Sequence, residues 1–168
     1  WDDVDAADEG VTDLGADNTL GYEMTMSGIT ISASYARMGV GTDNSIVLIA
    51  NELVDGAEFG IGSGTNVISN TSEDDMTTVW GKYTTGPITF GVQLSETDKT
   101  AANTDVDREH AAISFAVNEN LSISYGVSNV EYEATAKTDE ESSGFSASYT
   151  MGGMTLGAVA NKTDSLLG

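Results

Sequence analysis

Apolar and polar positions alternate along most of this chain. From Ala112 to Ser128 the sequence reads AISFAVNENLSISYGVS, and apolar side chains occupy every second position on either side of Asn118-Glu119-Asn120. Successive side chains of a β-strand point to opposite faces, so this stretch predicts a hairpin with one apolar face. The other face carries almost only serine, alanine and glycine. Small, neutral, hydroxyl-bearing side chains are typical of a wall beside a water-filled lumen.

Four further hairpins show a similar pattern. The paired segments are 19–26 with 29–35, 45–52 with 57–64, 77–83 with 88–95, and 145–150 with 154–161. The segment SIVLIANE at 45–52 is apolar on both faces, so the pattern defines its register least well. Together the five hairpins predict an all-β antiparallel fold of about ten strands.

The connections differ in length at the two ends of these hairpins. Within hairpins they are short, whereas between hairpins they are longer and acidic at 65–75, 97–109 and 131–142, with 39–44 the short exception. Long loops at one rim and tight turns at the other indicate a transmembrane β-barrel of the bacterial outer membrane. Aromatic residues on the apolar parity, several of them near strand ends, agree with an interfacial girdle. They are Tyr22, Tyr35, Tyr83, Phe90, Phe115, Tyr125, Phe145 and Tyr149.

Composition narrows the function. The longest apolar run, Ile46–Ala50, is far shorter than the ~20 residues of a membrane helix, which excludes a helical membrane protein. The absence of cysteine excludes disulfides and thiolate metal sites. A net charge of −21, from 27 acidic and 6 basic residues, disfavours nucleic-acid binding. It also repels anionic lipid head groups unless divalent cations bridge them.

Acidic residues cluster in three places. Residues 1–17 predict a solvated acidic loop or tail, with cation binding as the alternative. Two predicted loops carry adjacent carboxylates that suit a divalent cation, and we take calcium binding there as a hypothesis. These residues are Glu73, Asp74, Asp75, Asp139, Glu140 and Glu141.

Several strand–turn units resemble those of bacterial general porins, most closely the alphaproteobacterial type. The resemblance is carried by GYEMTMSGITISASYA, WGKYTTGPITFGVQLSET, ISFAVNENLSISYGVS and GFSASYTMGGMTLGAVANKTD, and it covers Leu20 to Asp164. It implies a sixteen-stranded barrel, a homotrimer and passive diffusion of small hydrophilic solutes. About ten strands, and an end in SLLG without a terminal aromatic residue, depart from this pattern. We therefore expect residues 1–168 to be part of one barrel domain, with hairpins over 18–164; a complete ten-stranded barrel is the alternative.

Functional side chains on the lumen parity are the candidates for lining a pore. They are Glu23, Glu58, Trp80, Lys82 and Gln93. The two glutamates would favour cations and Lys82 would oppose them, although all five could simply solvate the wall. Arg37 is expected at the rim, near water or lipopolysaccharide phosphate. Lys99, Arg108 and Lys137 fall in predicted loops and receive no role.

Catalysis is not indicated. His110, the single histidine, is expected at a loop end or the rim. As a catalytic base it would need a serine nucleophile and an orienting carboxylate, and no nucleotide-binding, hydrolase or zinc-protease motif occurs. The sequence predicts an outer-membrane porin, not an enzyme, that is mildly cation-preferring and has no cofactor besides possible calcium. Its expected partners are outer-membrane lipid, lipopolysaccharide, two further copies of itself and small hydrophilic solutes. The alternative is a surface-exposed all-β binding or adhesion module.

Overall fold

The computed structural model describes residues 19–37, 41–102, 104–134 and 137–165 as one antiparallel sheet of ten strands. Each strand pairs with the next in sequence, so the all-β antiparallel fold is confirmed. The strands are β1 Thr19–Met26, β2 Ile29–Arg37, β3 Thr42–Val54, β4 Ala57–Ser69, β5 Ser72–Thr85, β6 Ile88–Lys99, β7 Val106–Asn118, β8 Leu121–Tyr132, β9 Glu140–Met151 and β10 Met154–Ser165. In these residues β1 and β10 are the two sheet edges, and no helix is long and apolar enough to cross a membrane. The predicted acidic segment 1–17 lies outside the described residues.

Tight turns close all five predicted hairpins at one end of the sheet, which we call the turn end. Each connection has two residues: Ser27-Gly28, Asp55-Gly56, Gly86-Pro87, Glu119-Asn120 and Gly152-Gly153. Ser27 and Gly28 have φ of 52° and 79°, as the type I′ turn of a twisted hairpin requires. A Cβ on Gly28 would lie 2.5 Å from the carbonyl oxygen of Asn51, so glycine is needed there for space as well.

At the opposite end, the loop end, the strands run further than the pattern predicts. Residues 65–75 form a hairpin closed by Asn70-Thr71, and the other two long connections shorten to 100–105 and 133–139. The predicted loops over 65–75, 97–109 and 131–142 are therefore wrong in extent. Alternation fades there because both faces carry polar side chains, yet the backbone ladder continues through pairs such as Glu96 with Asp107.

The two faces of the sheet differ sharply. The apolar face carries the large hydrophobic side chains, which stay exposed in this chain, whereas most buried residues lie on the polar face. On β6, Val92 is 60% exposed and its neighbour Gln93 is 2% exposed. Side chains converge on the inner surface of a curved sheet and diverge on the outer one, so this asymmetry makes the polar face the inner face. The ambiguous strand β3 follows the same rule, with Ile46 and Leu48 on the apolar face.

The apolar side chains form a belt that crosses the sheet obliquely. The residue at its loop-end edge is Tyr35 on β2 and Ala160 on β10. Each of these residues belongs to a row of register partners that crosses the sheet. The row of Tyr35 reaches β5 at Asp75 and the row of Ala160 reaches it at Tyr83, eight residues further along the strand. That offset is roughly 27 Å along the strands over about 38 Å across them, a strand tilt of roughly 35°. Membrane barrels tilt their strands by about 35–45°, so the belt has the geometry of a lipid-facing band.

Candidate functional site: the polar wall

The polar face is the candidate site, because it is the surface that a barrel of this sheet would turn toward its lumen. Near the turn end, Lys82 Nζ lies 3.2 Å from Glu58 Oε1, and each side chain is about one third exposed. The two residues are register partners on β5 and β4. An exposed pair of this kind contributes about 0–1 kcal/mol to stability. Its electrostatic effect matters more, since the two opposite charges largely cancel at this point of the wall.

Trp80 is held flat against the wall by a glycine. Gly60 is its register partner, and a Cβ at Gly60 would lie 2.2 Å from the indole Nε1. The indole therefore covers the backbone of β4, in the space that any other residue at position 60 would fill. The polar face is locally apolar here, because Ile49 of β3 is the next residue in the same register row. Trp80 is thus part of the packed surface of the wall.

Gln93 lies on the polar face, but it does not line open space. Its side chain is 2% exposed, and its Nε2 donates to Thr78 Oγ1 at 3.3 Å and to Ser95 Oγ at 3.2 Å. Its Oε1 has no hydrogen-bond partner in the described structure. The sequence-based prediction that Gln93 is pore-lining is corrected: it sits beneath its neighbours and organises them. Burial on a face of neutral, small residues was not readable from alternation alone.

Glu23 is the most open of the predicted wall residues. It lies on β1, exposed, and its Oε2 accepts a hydrogen bond from Ser32 Oγ at 3.2 Å. Among the residues that the structure describes, no cationic side chain pairs with it. A carboxylate in this position adds a negative charge to the wall, in contrast to the neutralised Glu58.

Two further residues lie on the wall where the sequence pattern predicts a loop or its edge. Arg108 and His110 lie inside β7 on the polar face, opposite Ser95 and Gln93 of β6. The assignment of Arg108 to a loop is wrong, and Lys99 is likewise the last residue of β6. The sequence did indicate their face, since both residues share the parity of Ala112 and Ser114, the small residues that follow them on β7.

Two other cations lie where they were expected. Lys137 is in the loop between β8 and β9, with Nζ 4.7 Å from the centre of the Tyr132 ring. Arg37 ends β2 on the parity of the apolar face, exposed and beyond the edge of the belt. Neither is positioned on the polar wall between the strand ends.

From β7 to β10 the polar face is nearly flat. One register row contains Ala112, Gly126 and Gly144, and the next ones are dominated by serine, including a Ser124–Ser146 hydroxyl pair at 2.7 Å. These side chains satisfy each other and bring almost no charge. The wall therefore has charged and aromatic side chains on β1–β7, and a smooth hydroxyl surface on β8–β10 up to Glu140 at the loop end of β9.

Most strand carboxylates lie on the apolar-face parity, beyond the belt at the loop end. They are Glu73, Asp75, Glu96, Asp98, Asp107, Glu109, Glu131, Glu141 and Asp164. Crowding is strongest at the fully exposed Glu96, outside the part of β6 that faces lipid. There Asp98, and after it Asp107, raise the pKa of the Glu96 carboxyl above its usual value. Within the ten described strands, most carboxylates thus lie on the outer surface.

The proposed cation ligands are not arranged as a chelate. Glu73, Asp74 and Asp75 belong to β5, and Glu140 and Glu141 to β9, so their placement in loops was wrong. Within each strand, adjacent carboxylates point to opposite faces. Asp139 is in a loop, where its Oδ1 accepts the Tyr132 N–H at 2.9 Å. No group of three or more acidic or histidine side chains in the described residues is arranged to hold a metal ion, and calcium binding stays a prediction.

Comparison with known proteins identifies the fold. Neither a protein-family model nor a curated protein matches the sequence. Among solved structures, the chain superposes on a porin with a TM-score of 0.70 at 14% identity, over 91% of this chain and 59% of the porin. It superposes on in-vitro-folded OmpT, an outer-membrane protein of Vibrio cholerae, with a TM-score of 0.68 at 16% identity, over 89% and 54% of the two chains. A loop L8 deletion mutant of that OmpT gives 0.65 at 16% identity, over 87% and 57%.

These similarities show an outer-membrane β-barrel fold, with the chain spanning under two thirds of each solved barrel's length. In such a barrel the apolar belt faces lipid and the polar wall faces the lumen. The assignment of the two faces from the sequence pattern is therefore consistent with the fold. The identities are too low to carry a residue's role from one protein to the other.

Proposed function

We propose that the protein forms a water-filled channel in a bacterial outer membrane, through which small hydrophilic solutes and ions diffuse passively. The observation that carries the proposal is the separation of side chains between the two faces. One face has a tilted apolar belt, and the other has hydroxyls, glycines and a few charges. A polar inner face is what a lumen filled with water requires. No reaction is needed for this role.

The preference for cations is proposed to be mild. Glu23 adds a negative charge without a cationic partner to the wall, whereas Glu58 is neutralised by Lys82. Nine carboxylates of the described strands lie on the outer surface, where water and salt screen them over about 8 Å at physiological ionic strength. A strong preference would need carboxylates concentrated on the wall itself.

Assembly and surroundings are carried over from the resemblance to porins. We propose a homotrimer, with outer-membrane lipid against the belt and lipopolysaccharide near the carboxylates beyond it. Contact between these carboxylates and lipopolysaccharide phosphates would require a bridging divalent cation. An adhesion or binding module with the same sheet remains the alternative function, because an outer-membrane barrel can serve as a surface protein.

A catalytic role has little support from the geometry. His110 faces the polar side with Gln93 and Ser128 as its register partners. Hydrolysis by an activated serine would need a carboxylate that orients the histidine. Neither register partner is acidic, and the carboxylates that flank this part of β7, Asp107 and Glu109, point to the opposite face. We therefore propose that the protein is not an enzyme.

The decisive experiment is a single-channel recording of the native protein, purified in detergent and inserted into a planar lipid bilayer. The channel proposal predicts stepwise openings in groups of three, with potassium somewhat more permeant than chloride. A protein that stays soluble without detergent and gives no openings would contradict the channel and favour the binding module. Single openings of uniform size would contradict only the trimer.

A further inference from the structure

We propose that Arg108 is a specificity-determining residue of this channel, an anion-binding point on the wall near the loop-end mouth that admits solutes carrying carboxylate or phosphate groups. The inference rests on the proposed channel and names which solutes it passes besides cations. It follows from the location of the few positive charges in a chain of net charge −21.

Four of the six cationic side chains either interact with another side chain or lie on the other face. Lys82 pairs with Glu58, Lys162 pairs with Asp164, and Lys137 lies over the Tyr132 ring. Arg37 is on the apolar-face parity. On the polar face of the described strands, this leaves Arg108 and, at the very end of β6, Lys99 outside the ion pairs. The register partner of Lys99 is Asp74, whereas neither register partner of Arg108 is acidic.

Arg108 is held in place by neutral groups. Its Nη1 donates to Thr97 Oγ1 at 3.1 Å, and Thr97 is buried. Its register partner Ser95 is fixed in turn by hydrogen bonds to Thr78 at 2.9 Å and from Gln93 at 3.2 Å. A guanidinium has five N–H donors, so one bond to Thr97 leaves the others available to a solute.

Among the residues that the structure describes, no carboxylate forms an ion pair with Arg108. The register partners of Arg108 on the two neighbouring strands are Ser95 and Val130. The nearest carboxylate of the same row is Glu140, two strands away, which is about 10 Å across the sheet. Asp107 and Glu109 flank Arg108 in sequence, but they project from the opposite face. The wall is therefore locally positive although the chain as a whole is strongly acidic.

Arginine is suited to carboxylate and phosphate because its planar fork matches two oxygens at once. A single arginine on an open wall binds weakly, which is what passage requires, since a solute must leave as readily as it enters. The expected consequence is that anions are not excluded. The charge of Arg108 then offsets part of the cation preference that the wall carboxylates create.

The test is the reversal potential of the native protein in a planar bilayer under a potassium chloride gradient. Arg108→Gln should raise the potassium-to-chloride permeability ratio about twofold, the change expected when one unit charge about 8 Å away is screened by salt and acts with opposite sign on the two ions. Arg108→Lys should restore the native ratio. Arg37→Gln is the matched control: it removes the same charge near the same rim from the other face, and should leave the ratio unchanged.

Inorganic phosphate provides a second readout. Phosphate added on one side should reduce the potassium chloride current of the native channel and have less effect on Arg108→Gln. An unchanged permeability ratio in Arg108→Gln, or a ratio in Arg108→Lys equal to that of Arg108→Gln, would overturn the inference while leaving the channel intact. No openings from the native protein would overturn the channel proposal itself.

Discussion

The belt predicts how the cost of a charged residue depends on depth along β7. There the apolar face presents Ala111, Ile113, Phe115 and Val117 in turn. With a rise of about 3.4 Å per residue and a tilt of roughly 35°, each residue advances about 3 Å along the membrane normal. Ile113 then lies about 3 Å from the middle of the belt and Val117 about 8 Å from it. Their exposed fractions in this chain are nearly equal, 40% and 43%.

Replacement of each residue by arginine should therefore have unequal effects. Arginine on a lipid face costs about 2–4 kcal/mol at the midplane and about 0–1 kcal/mol near the interface. We expect Ile113→Arg to lower the free energy of unfolding by about 3 kcal/mol and Val117→Arg by about 1 kcal/mol. Ser114→Arg is the control, because Ser114 projects from the polar face toward water and its substitution should cost less than either.

The measurement is guanidinium-induced unfolding of the native protein folded into phosphatidylcholine vesicles. Equal destabilisation by Ile113→Arg and Val117→Arg would refute the belt, because a buried protein core penalises a charge with no reference to membrane depth. A cost for Ser114→Arg as large as that for Ile113→Arg would refute the assignment of the faces. The three variants thus separate a lipid-facing wall from the hydrophobic core of a soluble sandwich.

Three further outcomes follow from the polar wall and the loop end. Gly60→Ala should displace the Trp80 indole, which lowers the free energy of unfolding by about 1–3 kcal/mol and increases acrylamide quenching of Trp80 in a Trp1→Phe background. Gly157→Ala is the control, because its Cβ would meet no atom within 4 Å, and it should change neither quantity. Equal effects of the two substitutions would contradict the packing of Trp80 on Gly60. A double-mutant cycle with Glu58→Gln and Lys82→Gln should give a coupling energy of at most about 1 kcal/mol that vanishes in high salt, whereas a salt-independent coupling of several kcal/mol would show that the pair is desolvated. If calcium binds at the loop end, calorimetric titration should show affinity lowered by Asp75→Asn and not by Asp74→Asn, because Asp74 projects from the other face; equal losses would restore the adjacent-carboxylate site.

The sequence predicted the fold well because each strand of the belt alternates apolar and polar side chains. All five hairpins and their turns lie where the pattern placed them, since a one-residue shift in register would turn every belt residue toward the lumen. The alternation of apolar and polar residues predicted the strand ends poorly outside the belt, because only a lipid-facing surface requires apolar side chains at every second position. Beyond the belt both faces of β4–β9 carry polar side chains, so alternation no longer indicates a strand. The strands nevertheless stay paired there, as Thr65 with Asp75 and Glu96 with Asp107 show.

For the same reason, the sequence pattern did not predict which charged residues of the polar wall are paired, buried or open. Glu58 and Lys82 lie at the level of the belt, so their face was readable, but no rule of alternation shows that they neutralise each other. Arg108 and His110 lie beyond the belt, and they were read as loop or rim residues for that reason. Gln93 was assigned to the correct face, yet its burial depends on neighbours from β5 and β7 that only the three-dimensional register supplies.

Net charge is a property of the whole chain, whereas permeation depends on the charge of one face. The net charge of −21 does not say which face carries it, and nine carboxylates of the strands beyond the belt point outward. On the wall, Lys82 neutralises Glu58, whereas Glu23 is open. Nearer the mouth, Arg108 adds a positive charge to the face that also carries Asp74 and Glu140. Exchanging the parity of Arg108 and Glu109 would leave the composition untouched and reverse the sign of the charge at that point of the lumen. Selectivity in a barrel of this kind is therefore encoded by position within the two-residue repeat, and the total charge determines mainly what the outer surface attracts or repels.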